Sequence, residues 1–385
     1  MRETFLPFSP PSITEAEVEE VIDTLRSGWI TTGPKTKRFE QIFADFVDAP
    51  AALALNSCTA GLHLALVTLG IGPGDEVITT PMTFTSSVNV IEHVGATPVL
   101  ADVDPETLNL DPACVADAIT SRTRAVMPVH YSGHPVEMGP LMEMARAHDL
   151  AVIEDAAHAL PARYNDQMIG SIGDFTAFSF YATKNLTTAE GGMLTGDPQL
   201  LERTRMLSLH GMSRDAWKRY SATGSWFYEV VAPGFKYNMT DIQAAIGLAQ
   251  FERLADMQAR RRAVVARYNA AFGPISALTL PPEREHVDHA WHLYVLRLNL
   301  DELTIDRSRF IEELRARNIG TSVHFIPIHL HPYYREKYGY QPGDYPAAYE
   351  AYQGLVSLPL HPGLTDADVD DVTAAVRSVV EQFGQ

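Results

Sequence analysis

Apolar and polar residues follow two rhythms along this chain. Short runs rich in β-branched and aromatic residues recur at positions 76–79, 97–103, 124–130, 150–154, 175–180 and 192–195. Helical spacing separates the earlier ones, over residues 59–69 and 136–148. Strands alternating with helices predict an α/β domain with a mostly parallel sheet. Upstream, Thr14 followed by Glu17 forms a capping box that opens a helix through Arg26, and Ser27-Gly28 ends it. Residues 29–34 read as a loop, and Gly70-Ile71-Gly72-Pro73-Gly74 as a turn.

Beyond Asn238 the texture changes. Residues 240–272 predict one unbroken helix, followed by a strand at 292–298, a helix at 308–317, a strand at 321–325 and a closing helix at 366–383. This divides the chain into an N-terminal arm and large α/β domain over residues 1–250, and a small C-terminal α+β domain over 251–385.

Composition narrows the partners. With 385 residues, 46% of them hydrophobic, the chain can bury the cores of two domains. A formal charge of -18 repels a nucleic-acid backbone, so an anionic substrate requires a local basic pocket. Two cysteines, Cys58 and Cys114, make no disulfide framework, and the first twelve residues carry no secretory apolar run. No window reaches the ~18 uninterrupted apolar residues of a membrane helix. A cytoplasmic protein without a membrane span is expected.

Ligands of an open parallel sheet collect beyond the carboxyl ends of its strands. Asp155 follows the run 151–153, with His158 close behind, and Lys184 lies just past the run that ends at Ser179 and Phe180. A carboxylate suits a pyridine nitrogen, because a protonated ring withdraws electrons from a developing carbanion. A capping role suits Asp155 equally well. Lys184 becomes a nucleophile if burial lowers its pKa, and is otherwise a surface charge. Asn56-Ser57-Cys58-Thr59-Ala60-Gly61 opens a predicted helix whose free N–H groups suit a phosphate, or simply contains an N-cap. Gly191 and Gly192 permit close backbone approach. Phe84 can stack on a planar ring or pack in a core. His324, His329 and His331 lack acidic or cysteine partners and are broken by Pro327 and Pro332, so no metal is expected.

Taken together, these segments resemble the DegT/DnrJ/EryC1/StrS family of sugar aminotransferases, a branch of the aspartate-aminotransferase-like, fold-type-I pyridoxal-phosphate enzymes. The resemblance spans essentially the whole chain. It rests on Ser27-Gly28-Trp29-Ile30-Thr31-Thr32-Gly33-Pro34, Asn56-Ser57-Cys58-Thr59-Ala60, Glu154-Asp155-Ala156-Ala157-His158, Phe178-Ser179-Phe180-Tyr181-Ala182-Thr183-Lys184-Asn185, Ala189-Glu190-Gly191-Gly192 and the segment from Pro233 through Ala245.

The resemblance implies that Lys184 holds pyridoxal 5'-phosphate as a Schiff base and that Asp155 pairs with the ring nitrogen. It also implies that His158 reaches the phenolic oxygen, that Phe84 stacks on the ring, and that Thr59, Ala60 and Ser179 hold the phosphate. Family members complete that phosphate site from a second subunit, commonly with an asparagine two residues after the glycine matching Gly234. Here that position is Lys236, with Asn238 just beyond, so both are candidates and a homodimer is implied. Residues 27–34, 234–238 and 289–293 are most similar to transaminases acting at C4 of UDP-linked 4-keto sugars, such as the 4-amino-4-deoxy-arabinose enzymes. Glutamate is the implied donor, and Trp29, Thr31, Tyr181 and His324 are candidate substrate contacts. Alternatives are amination at C3 or of a cyclitol, and a non-catalytic regulatory member. Related dehydratases carry histidine where this chain has Lys184.

Overall fold

The structure, a computed structural model, describes residues 2–212 and 227–385. Seven strands form the central sheet, ordered Ala52–Leu55, Gly192–Gly196, Phe175–Ser179, Ala151–Asp155, Thr123–Val126, Glu76–Thr79 and Thr97–Leu100. Six run parallel, and Gly192–Gly196 alone runs against its two neighbours. Helices cover both faces, so the central strands are buried throughout and their sequences are nearly continuous apolar runs rather than alternations.

The helix Cys58–Leu69 sits deep in this layer. Leu62, Leu64 and Leu66 are all fully buried, packed with Leu55, Ile153 and Ala177. Its start therefore lies at the sheet's carboxyl edge, next to the ends of Ala151–Asp155 and Phe175–Ser179.

A separate apolar core lies towards the C-terminus. Tyr268, Phe272, Tyr294, Phe310 and Val376 pack around an antiparallel sheet of Leu278–Thr279, Tyr294–Leu298 and Leu355–Leu358. Leu6 belongs to this core: its N–H donates to the Asn318 carbonyl and its carbonyl accepts from Gly320. The N-terminal arm thus reaches across the molecule. No helix among the described residues is long and apolar enough to cross a membrane.

Several elements match their expected bounds closely. The Thr14–Glu17 capping box opens Glu15–Ser27, and Gly28 ends it in the left-handed region at φ 76°. The strand Glu76–Thr79 and the helix Asp366–Phe383 fall where the pattern puts them. Three features differ. The expected helix over 240–272 is two helices, Asp241–Glu252 and Leu254–Phe272, broken at Arg253, whose guanidinium is drawn to Glu17 at 2.8 Å and Ser12 at 3.0 Å. The expected strand at 321–325 does not form. Only Ser322 pairs, with Ser357, and the chain then turns His324 and Phe325 towards the cavity described below. Finally, Pro34 does not merely close a loop. It occupies the first turn of a helix, Pro34–Phe46, where its missing N–H costs nothing.

Candidate active site

A cavity of about 660 Å³ opens beyond the strand ends, between the two apolar cores. Asp155, Lys184 and His158 line it together with Thr59, Phe84, Ser179, Tyr181 and His324. The topology explains the convergence: Ala151–Asp155 and Phe175–Ser179 are parallel neighbours, so residues just past each strand meet at one edge.

Asp155 forms the floor and is almost fully buried. Its Oδ2 accepts a hydrogen bond from Ser87 Oγ at 2.7 Å, and its Oδ1 accepts one from the Ala157 N–H at 3.1 Å. These donors fix the carboxylate without a cation. Cys58 lies alongside, its Sγ 3.3 Å from the Ala177 carbonyl and 3.8 Å from Asp155 Oδ1. Burial, then the Asp155 charge, pushes this thiol well above its usual range, so it is a packed neutral group rather than a nucleophile.

Lys184 is held by the turn that follows the strand, its N–H donating to the Tyr181 carbonyl at 2.9 Å. Its amine makes no hydrogen bond or ion pair among the described residues. Burial pulls it from 10.5 down to about 8, against the opposing pull of Asp155. Such an amine is available as a base or nucleophile near neutral pH.

Two imidazoles stand beside it. His158 and His292 have ring centroids 4.4 Å apart, and Phe325 stacks on His158 at 5.8 Å. Burial holds both histidines far below the usual range, with Lys184 adding to the effect, so both are neutral. His292 Nδ1 pairs with Asn185 Oδ1 at 3.2 Å, which ties the residue after Lys184 to the wall. His158 Nδ1 is buried and has no hydrogen-bond partner among the described residues.

The opposite end of the cavity is the start of Cys58–Leu69. Ser57 is its N-cap, and its Oγ accepts from the Ala60 N–H at 3.1 Å. Thr59 is exposed at this lip. The antiparallel strand Gly192–Gly196 presses against the same helix start. A Cβ on Gly192 would lie 2.5 Å from Cys58 N and 2.7 Å from the Ser57 carbonyl oxygen, so no side chain fits there.

Phe84 is 61% exposed at the mouth, with Phe325 at 6.3 Å across the opening. Tyr181 is also exposed there. His324 is fixed: its Nδ1 pairs with Ser357 Oγ at 2.8 Å, Phe8 stacks on it at 5.5 Å, and Tyr131 donates to its carbonyl. Burial pushes its imidazole down to about 4.

Trp29, Thr31, Lys236 and Asn238 do not line this cavity. They form one patch outside it. Lys236 Nζ donates to Asn238 Oδ1 at 2.5 Å, and Asn238 Nδ2 donates to Thr32 Oγ1 at 2.7 Å. The Asp241 carboxylate accepts from the N–H groups of Gly33, Lys35 and Thr36 at 2.7, 3.0 and 2.9 Å, fixing the loop that carries Trp29 and Thr31. Among the described residues no three histidine, cysteine or acidic side chains are placed to share a metal ion.

A model of the DegT/DnrJ/EryC1/StrS aminotransferase family matches residues 11–377. The chain belongs to that family. It is 54% identical to the spore coat polysaccharide biosynthesis protein SpsC of Bacillus subtilis, over 99% of this chain and 98% of that protein. It is 55% identical to MJ1066 of Methanocaldococcus jannaschii, over 99% of both. Among solved structures it is similar to Spr1654 of Streptococcus pneumoniae in its PMP-form, with TM-score 0.92 and 40% identity over 98% of this chain and 99% of that one. The same protein in its PLP-form gives TM-score 0.91 and 39% identity.

As a member of this family, the chain is a sugar aminotransferase that uses pyridoxal 5'-phosphate, on the aspartate-aminotransferase-like fold. The residues present fit that cofactor. The cavity offers an unpaired amine, a fixed carboxylate on the floor, a helix start at one end and an orphaned buried imidazole nitrogen. Ser87, His292 and Phe325 were not among the candidates read from the sequence. Ser87 lies one turn past Phe84 and Phe325 directly follows His324, and the fold brings them and His292 to the same cavity.

Proposed function

We propose that this chain transfers an amino group from glutamate to C4 of a UDP-linked 4-keto sugar, giving 2-oxoglutarate and an aminosugar nucleotide. The observation that carries the reading is the Lys184 amine, without a hydrogen bond among the described residues and lowered to about 8, beside the fixed carboxylate of Asp155. Bound pyridoxal phosphate would supply an electron-withdrawing ring that stores the amino group between two half-reactions.

The chain's own residues take the remaining roles. Asp155 keeps a proton on the ring nitrogen through a charge-assisted hydrogen bond. Lys184 Nζ anchors the cofactor and, once released, carries a proton to and from the carbon being aminated or deaminated. His158 would face the ring's phenolic oxygen, Phe84 would cover one ring face, and Thr59, Ala60 and Ser179 would hold the phosphate. Ala60 serves by position, since its N–H already donates to Ser57.

The substrates carry several negative charges, and among the described residues that line the cavity Lys184 is the one lysine or arginine. This supports a second copy of the chain supplying Lys236 and Asn238, with Trp29 and Thr31 beside them. Lys236 is bonded to an amide oxygen rather than a carboxylate, so its charge is uncommitted. Tyr181 and His324 contact the sugar from within the chain. The polysaccharide role in the name of SpsC supports a product destined for a glycan, and we extend that destination to this chain.

The purified protein is expected to be yellow, with a visible band that moves to shorter wavelength on adding glutamate. A protein whose band ignores glutamate is not the proposed transaminase. UDP-, dTDP- and GDP-linked 4-keto sugars, assayed beside a 3-keto sugar and a keto-cyclitol, then identify the acceptor. Turnover of the 3-keto sugar or cyclitol alone rejects the C4 assignment.

A further inference from the structure

The strand Ala151–Asp155 ends in two adjacent carboxylates that point to opposite faces of the sheet. Asp155 faces the cavity. Glu154 faces the layer beneath and is 0% exposed. A buried carboxylate is costly unless its oxygens are hydrogen-bonded, and here all the visible partners are donors. Oε1 accepts from the Gly173 N–H at 2.8 Å and from Thr176 Oγ1 at 2.7 Å. Oε2 pairs with His130 Nε2 at 2.9 Å.

The other nitrogen of His130 decides what kind of partner it is. His130 Nδ1 accepts from the Val136 N–H at 3.1 Å, so the ring proton belongs on Nε2, facing Glu154, and the imidazole is neutral. No lysine or arginine pairs with Glu154 among the described residues. The negative charge beneath Asp155 is therefore solvated by dipoles and not cancelled by a cation.

The main chain ties His130 to Asp155 as well. The His130 N–H donates to the Asp155 carbonyl at 3.1 Å, and the Asp155 N–H donates to the Pro128 carbonyl at 2.8 Å. From His130 the chain continues through Ser132, at φ 56°, and Gly133, at φ 99°. The Ser132 carbonyl accepts from the N–H groups of His292 and Leu293, on the cavity wall. The segment links the floor to the wall.

We infer that Glu154 is a positioning residue for the transamination: held by neutral His130, its buried carboxylate fixes the height of Asp155 and places a second negative charge beneath the ring-nitrogen position. The inference rests on the assignment of Asp155 to the cofactor ring. It goes beyond that assignment, since a floor carboxylate can serve the ring without a charged residue behind it.

The test uses Glu154→Gln in the full-length holoenzyme, with Asp155→Asn as its control. Removing a negative charge disfavours protonated forms of the bound cofactor. The pH midpoint of the visible band should fall by about half a unit or more, and the glutamate half-reaction should slow about tenfold. A purely structural role would lower the unfolding temperature and leave both the midpoint and the rate per bound cofactor unchanged, which overturns the inference. If Asp155→Asn also leaves them unchanged, the ring-nitrogen assignment itself is wrong. If Glu154→Gln yields no folded protein, Thr176→Val removes one donor and keeps the charge. A change of about threefold in the half-reaction then supports the inference, and an unchanged rate overturns it.

Discussion

The cavity floor and the patch outside it each present a lysine among polar residues, in opposite states. Lys184 is part-buried, its amine unbonded among the described residues and lowered to about 8, beside a carboxylate oriented by Ser87 and Ala157 with acceptor capacity to spare. Lys236 is exposed and bonded to Asn238, on a loop surface held by the buried Asp241 carboxylate. The floor is preorganised by burial. The patch is preorganised by hydrogen bonds while lying outside its own chain's cavity. A surface fixed in this way without a cavity of its own suits use by another molecule, in keeping with the pairing proposed above.

The difference can be broken most severely at the floor. Lys184→Ala is expected to lower amino transfer by about a thousandfold or more, measured as aminosugar formed per bound cofactor. A modest loss would remove its role as proton carrier. Asp155→Asn keeps the shape but removes the charge and turns one acceptor oxygen into an NH2 donor, and the glutamate half-reaction should slow about a hundredfold in stopped-flow absorbance.

The patch is tested by complementation. Lys184→Ala and Asn238→Ala proteins, each nearly inactive alone, should recover about one quarter of wild-type activity when mixed and allowed to exchange subunits, because half the dimers then hold one intact site. No recovery, with exchange verified by mass, would place Asn238 outside the partner's site. Lys236→Ala in the same format separates the two residues.

The smallest effect concerns pH. Burial disfavours the ammonium form of Lys184, so the free amine dominates above about 8 rather than above 10.5. Capture of pyridoxal phosphate by the apo-protein should accelerate about tenfold per pH unit below that point and level off above it. A rate still climbing at pH 10 would show an ordinary surface lysine.

Much of this site was legible in the sequence because its anchors follow apolar runs directly. Asp155 and Lys184 each trail a strand, and a parallel sheet must bring such positions to one edge. Ser87 and Phe325 carried no comparable signal, since a serine inside a helix or a phenylalanine near a proline looks the same in any core, and His292 stood out only as part of the segment 289–293. The break at Arg253 was hidden for a related reason. No glycine or proline marks it, and the Glu17 carboxylate that draws Arg253 away lies more than two hundred residues upstream. The strand expected at 321–325 had the right alternation, but its residues were recruited to the cavity wall. Pro34 read as a loop residue although helices often begin on proline.

The tight seam between Gly192 and the start of Cys58–Leu69 bears on any attempt to redirect the enzyme to another sugar. Tyr181 and His324 line the cavity, so substitutions there bear on acceptor choice without disturbing the seam. Position 192 tolerates no side chain, because even a methyl group there would pry the strand from the start of the helix proposed to hold the phosphate. Mutagenesis aimed at new acceptors should therefore treat the wall as its canvas and hold the seam constant.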